Sequence, residues 1–191
     1  MADERWNYDA VFRCLKTDFF PVSRQEVDRL ENYVLEFGIR GYRWTQKEAW
    51  QFVRRLSLDE DAELSERQQD TLEEINRIRR KAAQPLLELA ERLNGQTTVK
   101  EYTLALYRLL ETLEVPELLQ TWADRAEAGG DLEQALEHRQ MWDCLVELLE
   151  QLVETCGEQE LPLRDYRAML EDGLEGLTLS LIPPGLDYVT V

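Results

Sequence analysis

Residues 8–44 read YDAVFRCLKTDFFPVSRQEVDRLENYVLEFGIRGYRW, and their spacing decides the fold class. Tyr8, Val11, Phe12 and Leu15 recur at helical intervals and share one face. Phe19-Phe20-Pro21 ends that helix, because proline disfavours the α conformation in the residue before it. Ser23 then stands as an N-cap with Glu26 three positions on, the reciprocal pair of a capping box. Val27, Leu30, Val34 and Phe37 give the second helix its apolar stripe. Gly38 stands where a left-handed residue closes a helix.

The same grammar continues outward. Thr45 with Glu48 repeats the capping pair and predicts a helix to about Leu56, with Trp50 and Val53 inward and Arg54 and Arg55 near its cation-favouring end. Residues 59–63 form an acidic loop, and Ser65 opens a long helix carrying Leu72, Ile75 and Ile78. Pro85 either kinks that helix or starts another in its first turn. Leu86, Leu89, Ala90 and Leu93 continue the stripe until Asn94-Gly95. Thr98 with Glu101 is a third capping pair, and Pro116 starts a helix that ends at Gly129-Gly130. Asp131 caps a helix spanning residues 132–156, Gly157 closes it, and residues 162–174 form a shorter one. Residues 177–181, LTLSL, alternate at period two; Pro183-Pro184-Gly185 is a turn, and the final YVTV is strand-like. The expected class is therefore mainly α: a compact multi-helix domain with a short β-strand segment at the C-terminal end. A strand needs a sheet, and the simplest reading places that sheet in sequence not present here.

The 191 residues fit one domain with a real core. Hydrophobic residues make up 43% and charged residues 32%, with nine Gly and six Pro, a globular and helix-leaning profile. No stretch approaches the roughly 20 apolar residues of a membrane span, and no signal-peptide pattern is present, so a cytoplasmic protein without membrane contact is expected. Cys14, Cys144 and Cys156 are odd in number and widely spaced, which argues for reduced thiols. The net charge of −17 opposes nucleic-acid binding by the chain as a whole. It is unevenly spread: residues 1–58 are near neutral, and residues 59–191 carry −18.

No catalytic constellation is legible. Neither GxxxxGK[ST] nor GxGxxG occurs, so no phosphate-cradling loop is expected. His138 is the sole histidine, which excludes HEXXH and multi-histidine zinc sites, and Ala135 breaks a Glu-x-x-His di-iron motif. It reads as a surface or boundary residue. The tryptophans read as core, except Trp6 in a tail and Trp44 beside a turn. No catalytic residue, metal ligand or cofactor site is assigned. Three basic clusters stand out against the acidic background: Arg77, Arg79, Arg80 and Lys81; Arg40 with Arg43; and Arg54 with Arg55. Each reads either as phosphate contacts or as a solvated face, the first bridged to Glu73 and Glu74.

The two ends carry a family resemblance. Thr17, Phe20, Pro21, Asp28, the run 30–35 (LENYVL), Phe37, Gly38 and Ile39 resemble the segment of the B subunit of the bacterial AddAB-type ATP-dependent helicase/deoxyribonuclease that leaves the second RecA-like domain for an inserted 2B domain. Ile182, Pro183, Pro184, Leu186, Asp187, Val189 and Val191 resemble the strand that returns to it. The middle, residues 57–176, resembles the family only in character. The resemblance implies residues 1–7 as a tail, 8–181 as a helical helicase-like 2B insertion domain, and 182–191 as the return strand. It implies a fragment without chemistry of its own, from a DNA repair and recombination enzyme with helicase, exonuclease and ATP-binding activities. The family's nucleotide loop, nuclease residues and iron–sulfur cysteines have no counterpart here. Implied partners are the A subunit and, through the intact complex, DNA. The DNA-binding candidates are Arg40, Arg43, Arg77, Arg79, Arg80 and Lys81. The alternative is a free-standing α-helical protein-interaction module without a DNA role.

Overall fold

Ser23 Oγ accepts the Glu26 amide at 3.3 Å while a Glu26 carboxylate oxygen accepts the Ser23 amide at 2.8 Å, so the expected box forms in full. It opens one of seven α-helices in the computed structural model, which describes residues 6–53 and 64–180. They are α1 (Tyr8–Leu15), α2 (Arg24–Phe37), α3 (Glu66–Leu93), α4 (Val99–Thr112), α5 (Val115–Ala128), α6 (Leu132–Cys156) and α7 (Leu163–Ser180), with a single 3₁₀ turn at Gly41–Trp44. No strand occurs among the described residues, so the mainly α class holds. The expected return strand at 182–191 lies outside them. So does the spatial test of the insertion reading, the proximity of residues 8–12 to 188–191.

The chain divides into two compact units, Met1–Glu88 and Leu89–Val191. In the first, α1 and α2 pack through Val11, Phe12 and Leu15 on one side and Val27, Leu30 and Val34 on the other, all buried. Burying such side chains is the main favourable contribution to folding. At the edge of this seam the Tyr8 hydroxyl and the Lys16 ammonium both donate to one Glu31 oxygen, at 2.5 and 2.7 Å. Gly38 closes α2 in the left-handed region at φ 58°, as its position predicts.

Two expectations fail in this unit for tertiary reasons. Thr45 does not start a helix: its amide and hydroxyl both donate to the Tyr42 carbonyl at 3.0 Å, closing the 3₁₀ turn. Residues 46–53 then run without regular structure. The remainder of the predicted helix lies outside the described residues. Trp44 stands at the turn, as expected, yet belongs to the core: it is 1% exposed, packed edge-on against Phe12 and Trp50. Trp6, expected in the tail, stacks on it at 6.0 Å.

α3 begins as read, with Ser65 and Gln68 capping one another. Pro85 lies inside it without ending it.

In the second unit α5 and α6 form a hairpin around Gly129-Gly130, and Asp131 caps α6 at the predicted residue, accepting from the Gln134 amide at 3.0 Å. Val99, Tyr102 and Tyr166 are the buried centre of a cluster with Leu152, Leu161 and Met169 packed around it. Thr98 and Glu101 form the third box, and the loop after α6 supplies carbonyls of Gly157 and Gln159 to the Lys100 and Val99 amides. The first turn of α4 is thus satisfied from outside the helix, where its amides would otherwise lack partners. Gly173 lets α7 approach α6, since a Cβ there would sit 2.7 Å from a Leu148 methyl. Residues 177–180 continue α7 rather than alternating as strand: Leu170, Leu174 and Leu177 also fit a helical interval, and the helix already formed propagates through them.

Candidate nucleic-acid interface

Two basic residues of the first unit meet at the Trp50 indole, Arg79 through its guanidinium and Arg43 through its carbonyl. The indole ring is 1% exposed, stacks parallel to Tyr33 with centroids 5.8 Å apart, and lies under the Arg79 guanidinium at 4.9 Å. Its Nε1 donates to the Arg43 carbonyl at 2.8 Å. The segment leading to it has no regular backbone pairing, and α3 supplies side chains instead. Asn76 Oδ1 accepts the Trp50 amide at 2.7 Å, and Asn76 Nδ2 donates to the carbonyls of Trp50 and Leu72 at 2.9 and 2.8 Å. Arg79 donates to the carbonyls of Gln46 and Glu48 at 2.7 and 3.2 Å. Buried backbone groups must be paired, and two side chains of one helix do that here.

This arrangement sorts the sequence candidates. Successive helical residues are turned by about 100°, so a contiguous basic run cannot all face one way. Arg79 points inward and is 6% exposed, with one donor on the Gln46 carbonyl and another on that of Glu48. Burial, then the neighbouring Arg80, depresses its guanidinium, which stays protonated all the same. Arg77, Arg80 and Lys81 point outward and are exposed. Arg77 reaches Glu26 at 2.9 Å, not Glu73 or Glu74; Glu74 instead pairs with Arg29 of α2. Arg80 Nε turns back to the Asn76 carbonyl at 3.2 Å. Lys81 lies within the field of Glu26. Arg40 is exposed at the start of the 3₁₀ turn, and the guanidinium of Arg43, half-buried, sits 5.0 Å from the Phe52 ring centre. Tyr42 between them is 67% exposed, an aromatic face available for stacking. Arg54 and Arg55 lie outside the described residues.

Glu26 therefore has two duties, capping α2 and holding Arg77. The Ser23 amide, first, and the Arg77 guanidinium keep its carboxyl below the ordinary glutamate range, against the opposing push of burial. A carboxyl lowered in the folded state stabilises above its unfolded pKa, and that contribution is lost as pH falls through the folded value. In a carbon-detected NMR titration Glu26 is expected to protonate at a lower pH than it does in a peptide. Arg77→Ala should move its midpoint upward while leaving the Glu101 midpoint in place. A Glu26 midpoint unmoved by Arg77→Ala would dissolve the coupling.

Asn76 is the functional residue the sequence reading missed. The signal was present: Leu72, Asn76, Arg79 and Ala83 occupy one helical face, and two polar residues on an inward face announce buried hydrogen bonds. Elsewhere, His138 is half-buried and edge-on to Trp122, and all three cysteines are free, with burial pushing the Cys14 thiol up. No group of three His, Cys, Asp or Glu side chains suited to a metal occurs among the described residues. No helix among them is long and apolar enough to cross a membrane.

No protein-family model matches the chain. Curated proteins do. The chain is 48% identical, over 98% of its length, to the B subunit of the ATP-dependent helicase/deoxyribonuclease of Desulforudis audaxviator (strain MP104C). It is 50% identical over 97% to that of Symbiobacterium thermophilum, and 42% identical over 97% to that of Bacillus subtilis (strain 168). The chain spans about a sixth of the length of these relatives, 17%, 16% and 17% respectively.

Proposed function

We propose, from the premise that this chain is homologous to one segment of the B subunits of ATP-dependent helicase/deoxyribonucleases, that it is an accessory helical domain of such an enzyme, contributing DNA guidance and subunit contacts rather than chemistry. The enzyme would act on broken DNA ends in recombinational repair, with a partner A subunit. The observation that carries this reading is the match itself: near-complete coverage of the chain at 40–50% identity against a small fraction of each relative. The two-ended resemblance read from the sequence supports the finer assignment, a 2B-like insertion with boundaries at residues 8 and 181. In this role the outward cations Arg77, Arg80 and Lys81, with Arg40 and Arg43, would meet DNA phosphates, and Tyr42 would offer a stacking surface. Arg79, buried and bonded to the Gln46 and Glu48 carbonyls, would position the segment between them rather than meet phosphate itself.

The test uses the intact two-subunit enzyme and forked DNA. Arg77→Ala/Arg80→Ala/Lys81→Ala is expected to weaken DNA binding and to flatten the dependence of log K on log salt by roughly 2–3, about one phosphate contact per cation. ATP hydrolysis without DNA should be unchanged. Unaltered affinity and slope would remove this cluster from the interface.

A further inference from the structure

The turn at Gly41–Trp44 and the segment after it hand their carbonyls to a succession of partners within the first unit. The Tyr42 carbonyl accepts the Thr45 amide and hydroxyl at 3.0 Å and the Gln46 amide at 3.1 Å, which closes the turn on itself. The Arg43 carbonyl accepts the Trp50 indole N–H at 2.8 Å. Those of Gln46 and Glu48 accept from Arg79, that of Trp50 from Asn76, and that of Phe52 from the Tyr33 hydroxyl at 2.7 Å. Two of these contacts tie the segment back to the turn: the Trp50 indole holds the Arg43 peptide, and the Arg43 guanidinium rests on Phe52. Asn76 fixes the Trp50 backbone at both amide and carbonyl, while Tyr33 and Arg79 cover the ring, so the indole N–H is aimed by its surroundings. A continuous path of contacts therefore runs from α3 through Trp50 to the Arg43 peptide. The turn at its far end displays Tyr42, 67% exposed, and the outward face of α3 at its near end carries Arg77, Arg80 and Lys81.

We propose that Trp50 is a positioning residue of the nucleic-acid interface: its indole N–H passes the placement of α3 to the 3₁₀ turn, so that Arg43 and Tyr42 are presented in one geometry alongside the α3 cations. The proposal rests on the reading of both clusters as DNA contacts. A phosphate backbone carries its charges at a regular spacing, so cations held at set positions suit it. Groups ordered before binding also lose less freedom on contact. Without the indole donor the Arg43 peptide can turn, and the binding reaction itself must then order Tyr42 and Arg43.

The experiment uses the assembled enzyme of two full-length subunits and forked DNA. Trp50→Phe keeps an aromatic ring and removes the donor. Hydrogen exchange of residues 42–46, read by mass spectrometry without DNA, is expected to rise about three- to tenfold, with residues 27–34 of α2 unchanged. DNA affinity is expected to fall about three- to tenfold. A double-mutant cycle separates positioning from general loss of structure. In a Tyr42→Ala/Arg43→Ala background, Trp50→Phe should cost little further affinity. Beside Arg77→Ala/Arg80→Ala/Lys81→Ala its effect should multiply. Unchanged exchange at 42–46 overturns the proposal, as does an equal rise at 27–34 or a Trp50→Phe effect that multiplies in both backgrounds. If exchange rises and DNA affinity holds while the triple variant still loses DNA, the positioning role is wrong and the DNA reading of α3 stands. If neither Trp50→Phe nor the triple variant loses DNA, the underlying reading fails and takes the proposal with it.

Discussion

Trp50→Ala is expected to lower the unfolding free energy of the first unit by about 3–5 kcal/mol, the range for deleting a large buried aromatic. The indole is 1% exposed and touches three other rings or cations: Tyr33, Trp44 and Arg79, at 5.8, 5.3 and 4.9 Å. Alanine leaves a cavity under the Arg79 guanidinium, so a buried cation loses its aromatic face. It also strands the Arg43 carbonyl, which accepts the indole N–H. Trp50→Phe keeps a stacked ring and loses mainly that donor, so it should cost about 1–2 kcal/mol. Urea unfolding followed by far-UV circular dichroism measures both. A loss under about 1 kcal/mol for alanine would mean that the Trp50 surroundings collapse freely, against the close packing expected of a core.

The second large effect is at Asn76. Asn76→Leu has nearly the same shape and removes three hydrogen bonds at once, leaving the Trp50 amide and carbonyl buried and unpaired. The expected loss is about 2–4 kcal/mol, because orphaned buried polar groups pay their desolvation in full. Asn76→Asp should be no better. It keeps an acceptor for the Trp50 amide but turns a second anionic oxygen toward the carbonyls of Trp50 and Leu72. If Asn76→Leu melts within a degree of the parent chain, the segment 46–50 is held by Arg79 and the indole alone.

Local signals read well wherever nothing distant competed with them. The boxes at Ser23–Glu26 and Thr98–Glu101, the left-handed Gly38 and the limits of α6 all follow from neighbours within one turn. Thr45 and Glu48 carry the same local pattern and fail because each is claimed by something else: Thr45 by the turn behind it, and the Glu48 carbonyl by Arg79, thirty-one residues away. A capping motif states a preference of about 1 kcal/mol, and several tertiary hydrogen bonds outweigh it. The basic run on α3 was legible as charge but not as direction, since only helical rotation separates Arg79 from Arg80. The burial of Trp44 was not legible at all, because it depends on Trp6, Phe12 and Trp50 arriving from three separate stretches.

Asn76 presents to residue 50 the donor and acceptor that a neighbouring strand's peptide unit would present, so a segment with no sheet is paired as though it had one. That makes the segment conditional on the helix. α3 closes its own backbone hydrogen bonds without the segment. The segment's partners exist only where α3 displays Asn76 and Arg79 on one face, so the conformation of residues 46–50 depends on that helix. Their conformation reports whether that helix is intact.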